Sequence, residues 1–302
     1  MTTPEDQSKN PPKDIGTIPS GMPQDADTDS PGLAGGQALY LRPMTEQLTG
    51  WDNPRAMLEH ALRENQFLLL AQKILPLKPG SPDPLCYEVL LRLKQEEDNL
   101  LPPGGFFDVA ESLGLMAKID RWVVRAVLSW CAAWQKASPG KPLPMMCINI
   151  SGPALKSVSF LGAVREELQR AGVPPRDLCF EINERDLIEH PSSAQRFISE
   201  LKPLGCRFTV EGFGSVRSSF SHLKGLAIDF VKIEGAITER IVRDPVEFSR
   251  LKIITEACQK LGMRSIAAFV ETQPILDKLL ESGVDYVQGF GIARPEPISK
   301  LS

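Results

Sequence analysis

The side chains of this sequence that could do chemistry are polar residues at the ends of short apolar runs. Glu211 follows a short run rich in β-forming residues, Phe208, Thr209 and Val210, and a loop with two glycines comes directly after it. Lys232 lies inside the next apolar run, residues 228–233. In parallel α/β folds, groups at the carboxyl ends of strands face the active-site mouth. A carboxylate and an amine that meet there predict metal and phosphate chemistry, although a surface glutamate and a paired core lysine would give the same pattern.

Other apolar runs also carry a polar residue inside them or at their end. These residues are Glu88, Asn149, Glu181 and Gln288. Burying an ionised group is costly unless it is paired or bound to a metal, so a group of such residues at one end of a fold favours a functional site. Carboxylate and amide oxygens are hard ligands, which suit Mg²⁺, Mn²⁺ or Ca²⁺ better than zinc. The sequence therefore predicts a divalent-cation site among these side chains.

The elements that must position these residues alternate between strands and helices. The predicted strands are 67–74, 86–92, 145–150, 177–182, 206–210, 228–233, 265–268 and 284–288, and the predicted helices are 54–64, 104–115, 119–134, 154–171, 193–204, 242–261 and 274–281, with a short helix before residue 228. A Pro/Gly/Ser turn joins the first two strands, which predicts a hairpin. About eight strands in roughly 250 residues predict an α/β fold, a (β/α)₈ TIM-like barrel.

Composition limits the domain organisation and the compartment. The chain has 302 residues, of which 42% are hydrophobic and 24% charged. Residues 1–50 are rich in Pro, Gly, Asp, Ser and Thr, which predicts a disordered tail before one domain at 51–300. The net charge of −4 gives no general reason to expect nucleic-acid binding. No apolar run approaches the roughly 20 residues that span a bilayer, and no signal peptide is recognisable, so the expectation is a cytoplasmic protein without a membrane segment.

Cysteine and histidine usage gives no sign of a soft-metal or histidine-based centre. The six cysteines are scattered without a C-x-x-C pair, and most lie in apolar runs. Buried, reduced thiols are therefore expected, in place of disulfides or a zinc site. The three histidines share no ligand spacing.

A series of ordered motifs connects these observations. They are Glu88-Val89-Leu90-Leu91-Arg92, Asn149-Ile150-Ser151, Phe180-Glu181-Ile182-Asn183-Glu184, Phe213-Gly214-Ser215 with Ser218-Ser219, Asp229-Phe230-Val231-Lys232-Ile233-Glu234, Gln288-Gly289-Phe290 and Ala293-Arg294-Pro295. In kind and order they resemble the motifs of the EAL-domain family, the cyclic di-GMP phosphodiesterases and their inactive relatives. The resemblance covers about residues 54–297 and implies a barrel of EAL type that takes part in second-messenger signalling in bacteria.

The sequence departs from the pattern of active family members at three positions in two motifs. The resemblance implies two adjacent aspartates before Phe-Gly, and these positions hold Glu211 and Gly212. It also implies a glutamate beside the reacting water, where this sequence has Ala268. Glycine offers a second cation no ligand, and loss of a general base costs roughly 10²–10⁴ in rate. Lys232 is retained, but no intact catalytic set is expected. The residual site would hold one Mg²⁺ or Mn²⁺, or none, on Glu88, Asn149, Glu181 and Glu211.

The pocket that the resemblance implies can bind without hydrolysing. Arg92 can grip a phosphate in a bidentate way, although a surface ion pair is the alternative role. The ligand-binding residues that the resemblance implies are Gln72, Glu88, Leu91, Arg92, Asn149, Lys232, Gln288 and Pro295. The first hypothesis is a degenerate EAL domain that binds cyclic di-GMP, a partner protein or both, without useful hydrolysis. The alternatives are a slow phosphodiesterase that forms linear pGpG and an interaction module that no longer binds nucleotide.

The resemblance also implies that two copies can pair. Glu184 matches a family glutamate that supports the loop after Glu181, and relatives often pair near that loop. A homodimer through this surface is therefore an expectation, and the sequence does not name a protein partner.

Overall fold

The fold is a closed barrel of eight strands with helices around it. The computed structural model describes residues 53–77, 86–94, 100–215 and 219–301. The strands are β1 (Phe67–Pro76), β2 (Cys86–Lys94), β3 (Leu100–Leu101), β4 (Met145–Ile150), β5 (Leu178–Asn183), β6 (Arg207–Phe213), β7 (Phe230–Ile233), β8 (Arg264–Ala267), β9 (Tyr286–Val287) and β10 (Glu296–Pro297). The helices are α1 (Pro54–Arg63), α2 (Phe107–Ser112), α3 (Met116–Ala137), α4 (Gly152–Lys156), α5 (Val158–Ala171), α6 (Glu184–Glu189), α7 (Pro191–Leu201), α8 (Gly235–Arg240), α9 (Pro245–Lys260) and α10 (Gln273–Leu280).

The barrel closes through β1, which is antiparallel to both of its barrel neighbours. It pairs with β2, where Gln72 lies opposite Glu88, and with β9, where Leu75 lies opposite Val287. The order continues β2–β4–β5–β6–β7–β8–β9, and these pairs are parallel. The short strands β3 and β10 pair with β2 and β1 outside this ring. The predicted barrel and its opening hairpin are confirmed, with one strand running against the other seven.

The inside of the barrel is layered because side chains on a strand alternate between its two faces. One small apolar cluster fills the interior: Ile74, Cys86, Met145, Cys147, Cys179, Phe230, Ile266 and Tyr286. On several strands the residue two positions further on is polar, as Glu88 follows Cys86 and Glu181 follows Cys179. A two-residue step keeps the same face, so the polar groups form the next layer towards the carboxyl ends. A larger apolar cluster lies between barrel and helices, and all six cysteines are buried, as expected.

One predicted helix starts later in the structure, and another is divided in two. The predicted helix 242–261 corresponds to α9, which begins at Pro245 with Asp244 capping the Val246 amide at 2.8 Å, and α8 before it was not predicted. Proline favours the first helical turn, where it needs no amide partner. The segment 154–171 is divided at Ser157, which ends α4 and caps α5 by accepting from the Phe160 amide at 3.1 Å.

Several other boundaries differ from the prediction. The predicted helix 104–115 is reduced to α2, the predicted strand 284–288 is reduced to β9, and a 3₁₀ turn at Phe220–Leu223 stands where a short helix was expected. Helix α6 and the strands β3 and β10 were not predicted, because each is too short to show a period. The predicted tail at 1–50 lies outside the described residues. Within the described ranges, no helix combines the length and apolar character that crossing a membrane requires.

Candidate functional site

The centre of the polar layer is the buried ammonium of Lys232. It is 2% exposed, and its Nζ donates to Glu181 Oε2 at 2.7 Å and to Glu88 Oε2 at 3.0 Å. The third carboxylate, Glu211, is half-buried and lies 3.8 Å away through Oε1. These residues come from β2, β5, β6 and β7 and occupy the same layer, since each lies on the inward face of its strand. The structure therefore brings together the carboxylates and the amine that the sequence singled out.

Three amides complete the layer. The Asn149 side chain donates to Glu88 Oε1 at 2.8 Å, and the Gln288 side chain donates to Glu88 Oε2 at 2.6 Å. Gln288 also donates to Gln72 Oε1 at 3.1 Å, and Gln72 donates to the Ala293 carbonyl oxygen at 3.0 Å. Both oxygens of Glu88 are thus held by donors from β4, from β7 and from the residue that follows β9. This network fixes the Glu88 carboxylate within the barrel mouth.

Burial raises the pKa values of the three carboxylates, and the neighbouring Lys232 ammonium lowers them. Burial disfavours the charged form of Glu88, but the Lys232 ammonium and the bonds from Gln288 and Asn149 outweigh it and lower its pKa. Burial raises the pKa of Glu181 to about 8, with Lys232 opposing and Glu88 and Glu211 adding to the rise. Burial likewise raises the pKa of Glu211. The three carboxylates raise the pKa of Lys232 in spite of its burial. One ammonium does not neutralise three carboxylates, so the site favours an additional proton or cation.

The donor set fits a divalent cation. Oxygens of Glu88, Glu181 and Glu211 lie within 4.8 Å of one another. Glu181 Oε1 is buried and has no hydrogen-bond partner within the described part of the chain, and the same holds for Gln288 Oε1. Buried acceptors are normally satisfied, so these atoms indicate room for a cation or a ligand. With Asn149, whose amide oxygen is a further hard ligand, these carboxylates would hold one Mg²⁺ or Mn²⁺.

Of the residues expected at a bound ligand, Arg92 shares a strand face with Glu88, whereas Leu91 lies on the opposite face. Arg92 follows Glu88 by four positions on the same face of β2, and it is half-buried. Its guanidinium donates to the Leu91 carbonyl oxygen at 2.7 Å, and burial lowers its pKa while Glu88 opposes the shift. Leu91 itself packs in the apolar cluster between barrel and helices, because adjacent strand residues face opposite sides. The hydrophobic side chain that shares a face with Arg92 is Leu90. Half-buried Pro295 lies two residues beyond the Ala293 carbonyl that Gln72 contacts.

Two of the departing positions, Gly212 and Ala268, lie at the same end of the barrel as Glu211. Ala268 follows the inward-facing Ile266 by two positions, is 8% exposed, and adds a methyl group to the polar layer. Gly212 has a φ of +72°, a conformation that residues with a Cβ adopt at a cost. Next to Ala268, Phe269 also has a positive φ, +59°, and is 54% exposed.

One buried carboxylate near the site was missed from sequence. Asp120 on α3 accepts from the Ser151 amide at 2.9 Å and from the Ser151 hydroxyl at 2.6 Å. Ser151 caps α4 and follows Asn149 by two residues. Asp120 therefore fixes the end of β4, and with it the backbone that carries Asn149. The visible signal was a lone acidic residue on the buried face of an amphipathic helix.

The EAL domain family model matches residues 55–295. The chain belongs to the EAL domain family. Cyclic di-GMP phosphodiesterase PdeB of Shewanella oneidensis is 31% identical over 243 residues, which are 79% of this chain and 28% of that protein. Cyclic di-GMP phosphodiesterase PdeF of Escherichia coli is 30% identical over 261 residues, 86% of this chain and 34% of PdeF. The EAL chain thus spans about a third of the length of these relatives.

Solved EAL structures share the fold. The EAL domain of FimX from Pseudomonas aeruginosa, bound to c-di-GMP, has a TM-score of 0.75 at 29% identity and covers 81% of this chain and 96% of its own. The FimX EAL domain of Xanthomonas citri, in complex with c-diGMP, has a TM-score of 0.74 at 27% identity and covers 88% and 98%. The predicted barrel of EAL type is therefore confirmed. Pairing of two copies near Glu184 stays a prediction.

Proposed function

We propose that this EAL domain binds cyclic di-GMP at the carboxyl end of its barrel and acts as a receptor without efficient hydrolysis. The single observation that carries the proposal is the composition of the polar layer. Its buried centre of Lys232, Glu88 and Glu181 is complete, while the same layer holds a methyl group at Ala268. A general base contributes roughly 10²–10⁴ in rate, so its absence slows the reaction far more than it weakens binding.

Binding would rest on Arg92 and on the cation. The guanidinium of Arg92 has one acceptor among the described residues, the Leu91 carbonyl oxygen, which leaves further N–H groups for a phosphate. A hydrogen bond to a charged group contributes roughly 1.5–3 kcal/mol, or about ten- to a hundredfold in affinity. A cation on Glu88, Asn149, Glu181 and Glu211, when bound, supplies Lewis-acid attraction for phosphate oxygens.

Isothermal titration of the full chain with cyclic di-GMP, with Mg²⁺ or with a chelator, tests the proposal. Arg92→Ala should weaken binding by about ten- to a hundredfold. The matched control is Arg165→Ala on α5, whose guanidinium pairs with Glu200 at 2.6 Å on the outer helices. Absence of binding by the wild-type chain at micromolar protein and excess ligand would refute the receptor role and favour an interaction module.

A slow phosphodiesterase is the second candidate, and one observation favours it. Oxygens of Glu88, Glu181 and Glu211 lie within 4.8 Å, the arrangement that a catalytic cation needs. Turnover to linear pGpG on the order of 1 s⁻¹ or more, the range of ordinary enzymes, would establish this candidate over the receptor.

A further inference from the structure

A groove between α1 and α3 lies among the helices that surround the barrel. It consists of two adjoining hollows of about 580 Å³ and 230 Å³, which share Leu62, Trp122 and Arg125. Six of the side chains that line it define what is called the basic groove below: Leu62, Arg63, Lys118, Arg121, Trp122 and Arg125. Four of these six are cationic and none is anionic, whereas the whole chain has a net charge of −4. The charge of the groove is thus opposite in sign to that of the molecule.

Trp122 lines both hollows of the basic groove and is held in place from two sides. Its Nε1 donates to the side-chain oxygen of Asn65 at 3.1 Å, and its ring lies 5.5 Å from that of the buried Phe67, centroid to centroid. Asn65 follows α1 with a φ of +52°. The cations at positions 118, 121 and 125 are three or four residues apart, so they share one face of α3 with the indole.

Carboxylates beside the basic groove neutralise only part of its charge. Lys118 Nζ lies 3.4 Å from Glu59 Oε1, and Arg125 Nε lies 3.0 Å from Glu167 Oε1. Each of these carboxylates also pairs with an arginine that does not line the groove. Two carboxylates are therefore shared among four cations.

The other two cations of the groove, Arg63 and Arg121, are exposed and have no carboxylate partner within the described ranges. Like charges held close together repel one another, and the potential that they create attracts a partner of opposite charge. Arginine and tryptophan are also enriched where proteins bind other protein segments. The basic groove therefore has the chemistry of a docking surface for an acidic stretch of polypeptide.

An acidic stretch is present in the same chain, before the described residues. Residues 14–41 hold four aspartates and no lysine or arginine, and three of the aspartates alternate in Asp25-Ala26-Asp27-Thr28-Asp29. In an extended chain, alternate side chains lie on one side, about 6.6 Å apart. Cations three or four residues apart on a helix are separated by about 4.5–6 Å along its axis. The spacing of the aspartates is thus similar to that of the cations on α3.

The chain between this stretch and the groove is long enough to connect them. Asp29 precedes Asn53, the residue that caps α1, by 24 residues. A chain of that length spans up to about 80 Å, whereas the helix α1 is about 15 Å long. A covalent tether also makes docking intramolecular, with an effective concentration on the order of millimolar. Ion pairs that are too weak to hold separate molecules together are then sufficient.

We propose that the stretch Asp25-Ala26-Asp27-Thr28-Asp29 docks in the basic groove of its own chain, with its carboxylates on the cations of α1 and α3. This inference goes beyond nucleotide binding and does not depend on it. Because α3 also carries Asp120, the docked stretch lies against the helix that fixes the end of β4.

The test is cross-linking of the full chain with a carbodiimide, which joins an amine to a carboxylate in contact with it, followed by peptide mass spectrometry. Lys118 is the amine of the basic groove, and a bond from it to Asp25, Asp27 or Asp29 reports docking. The bond from Lys118 to Glu59, 3.4 Å away, is the internal reference for a folded groove. A mixture of isotopically labelled and unlabelled chains separates bonds within one chain from bonds between two.

The groove variant is Arg63→Gln with Arg121→Gln, which removes the two unpaired charges without adding a carboxylate. The matched control is Lys224→Gln with Arg243→Gln, two exposed cations after β6 and before α9. We expect the yield of the docking bond, relative to the reference bond, to fall by about twofold to thirtyfold in the groove variant, which is the effect of removing two exposed ion pairs. The control should leave it unchanged. Raising the salt from about 0.1 M to about 1 M, which shortens the Debye length from about 10 Å to about 3 Å, should also lower it.

Four results would overturn the proposal. They are no bond from Lys118 to the three aspartates in the wild-type chain, an equal yield in the groove variant and the control, a bond that joins two copies in place of one chain, and a bond from Lys118 to Glu96, Glu97 or Asp98 in place of the three aspartates. The last result would place a different acidic stretch of the chain at the basic groove.

Discussion

Replacing Lys232 with methionine removes the positive charge that three carboxylates share and keeps a side chain of similar length. The ammonium lies 2.7 Å from Glu181 and 3.0 Å from Glu88, whose side chains are 0% and 9% exposed. Removing one partner of a buried ion pair costs about 3–5 kcal/mol, because the remaining charge is left uncompensated. In a domain of this size each kcal/mol corresponds to about 2–4 °C, so Tm should fall by roughly 6–20 °C.

This loss of Tm is measured by thermal unfolding in the presence of a chelator, monitored by circular dichroism. Addition of Mn²⁺ should restore part of it, because a divalent ion can replace the ammonium among the carboxylates. Glu181→Gln added to Lys232→Met should restore part without metal, since both charges of one pair are then removed. Lys278→Met is the control, because Lys278 pairs with Glu281 at 2.9 Å on the exposed surface and such pairs contribute about 1 kcal/mol or less. If Lys232→Met unfolds no earlier than this control, the electrostatic account of the polar layer is wrong.

Two further predictions concern Asp120 and Ala268. Burial, opposed by the bonds from Ser151, raises the pKa of Asp120 from 3.8 to about 6. The folded chain therefore holds this proton more tightly, and the stability it contributes is complete below pH 3.8 and lost as pH rises through 6. Asp120→Asn should reduce the change in the free energy of urea unfolding between pH 3.8 and 6 by up to about 3 kcal/mol. If the unfolding free energy of this variant depends on pH as steeply as that of the wild type, Asp120 is not the cause. Ala268→Glu should raise cyclic di-GMP hydrolysis by about 10²–10⁴, because it adds a carboxylate that can act as a general base. With Ala268→Gln as control, equal rates in both variants would argue against a missing base.

The barrel and its polar layer were predictable because their signal is local. A strand alternates with a period of two, so Cys86 with Glu88, and Cys179 with Glu181, repeat one apolar-then-polar step on neighbouring strands. Parallel strands must then place these polar residues at the same level. The same rule separates Leu91 from Arg92, so the face of Leu91 was readable from the sequence. The Asp244-Pro245 pair, a helix start signal inside the predicted helix 242–261, was visible too.

Other features depend on contacts that no local pattern carries. Phe269 has a positive φ and is 54% exposed, whereas an isolated phenylalanine after an apolar strand reads as core. Its conformation is tied to Gly235, since a Cβ there would come within 2.2 Å of the Phe269 ring. The position of Glu234 is of the same kind. Its carboxylate lies beside Gly212 only because a backbone bond to Phe213 joins the ends of β6 and β7.

The buried centre is a poor indicator of catalysis, because the fold itself depends on it. Lys232 pairs with both Glu88 and Glu181 inside the barrel, and its loss leaves two buried carboxylates without a cation. Their presence is therefore required whether or not the domain hydrolyses anything. Gly212 and Ala268 are not part of that mutual dependence, so either can change without exposing an unpaired buried charge. A receptor role and a hydrolytic role of this domain should therefore be separated by variants at these two positions, since their side chains do not bear on the buried charges.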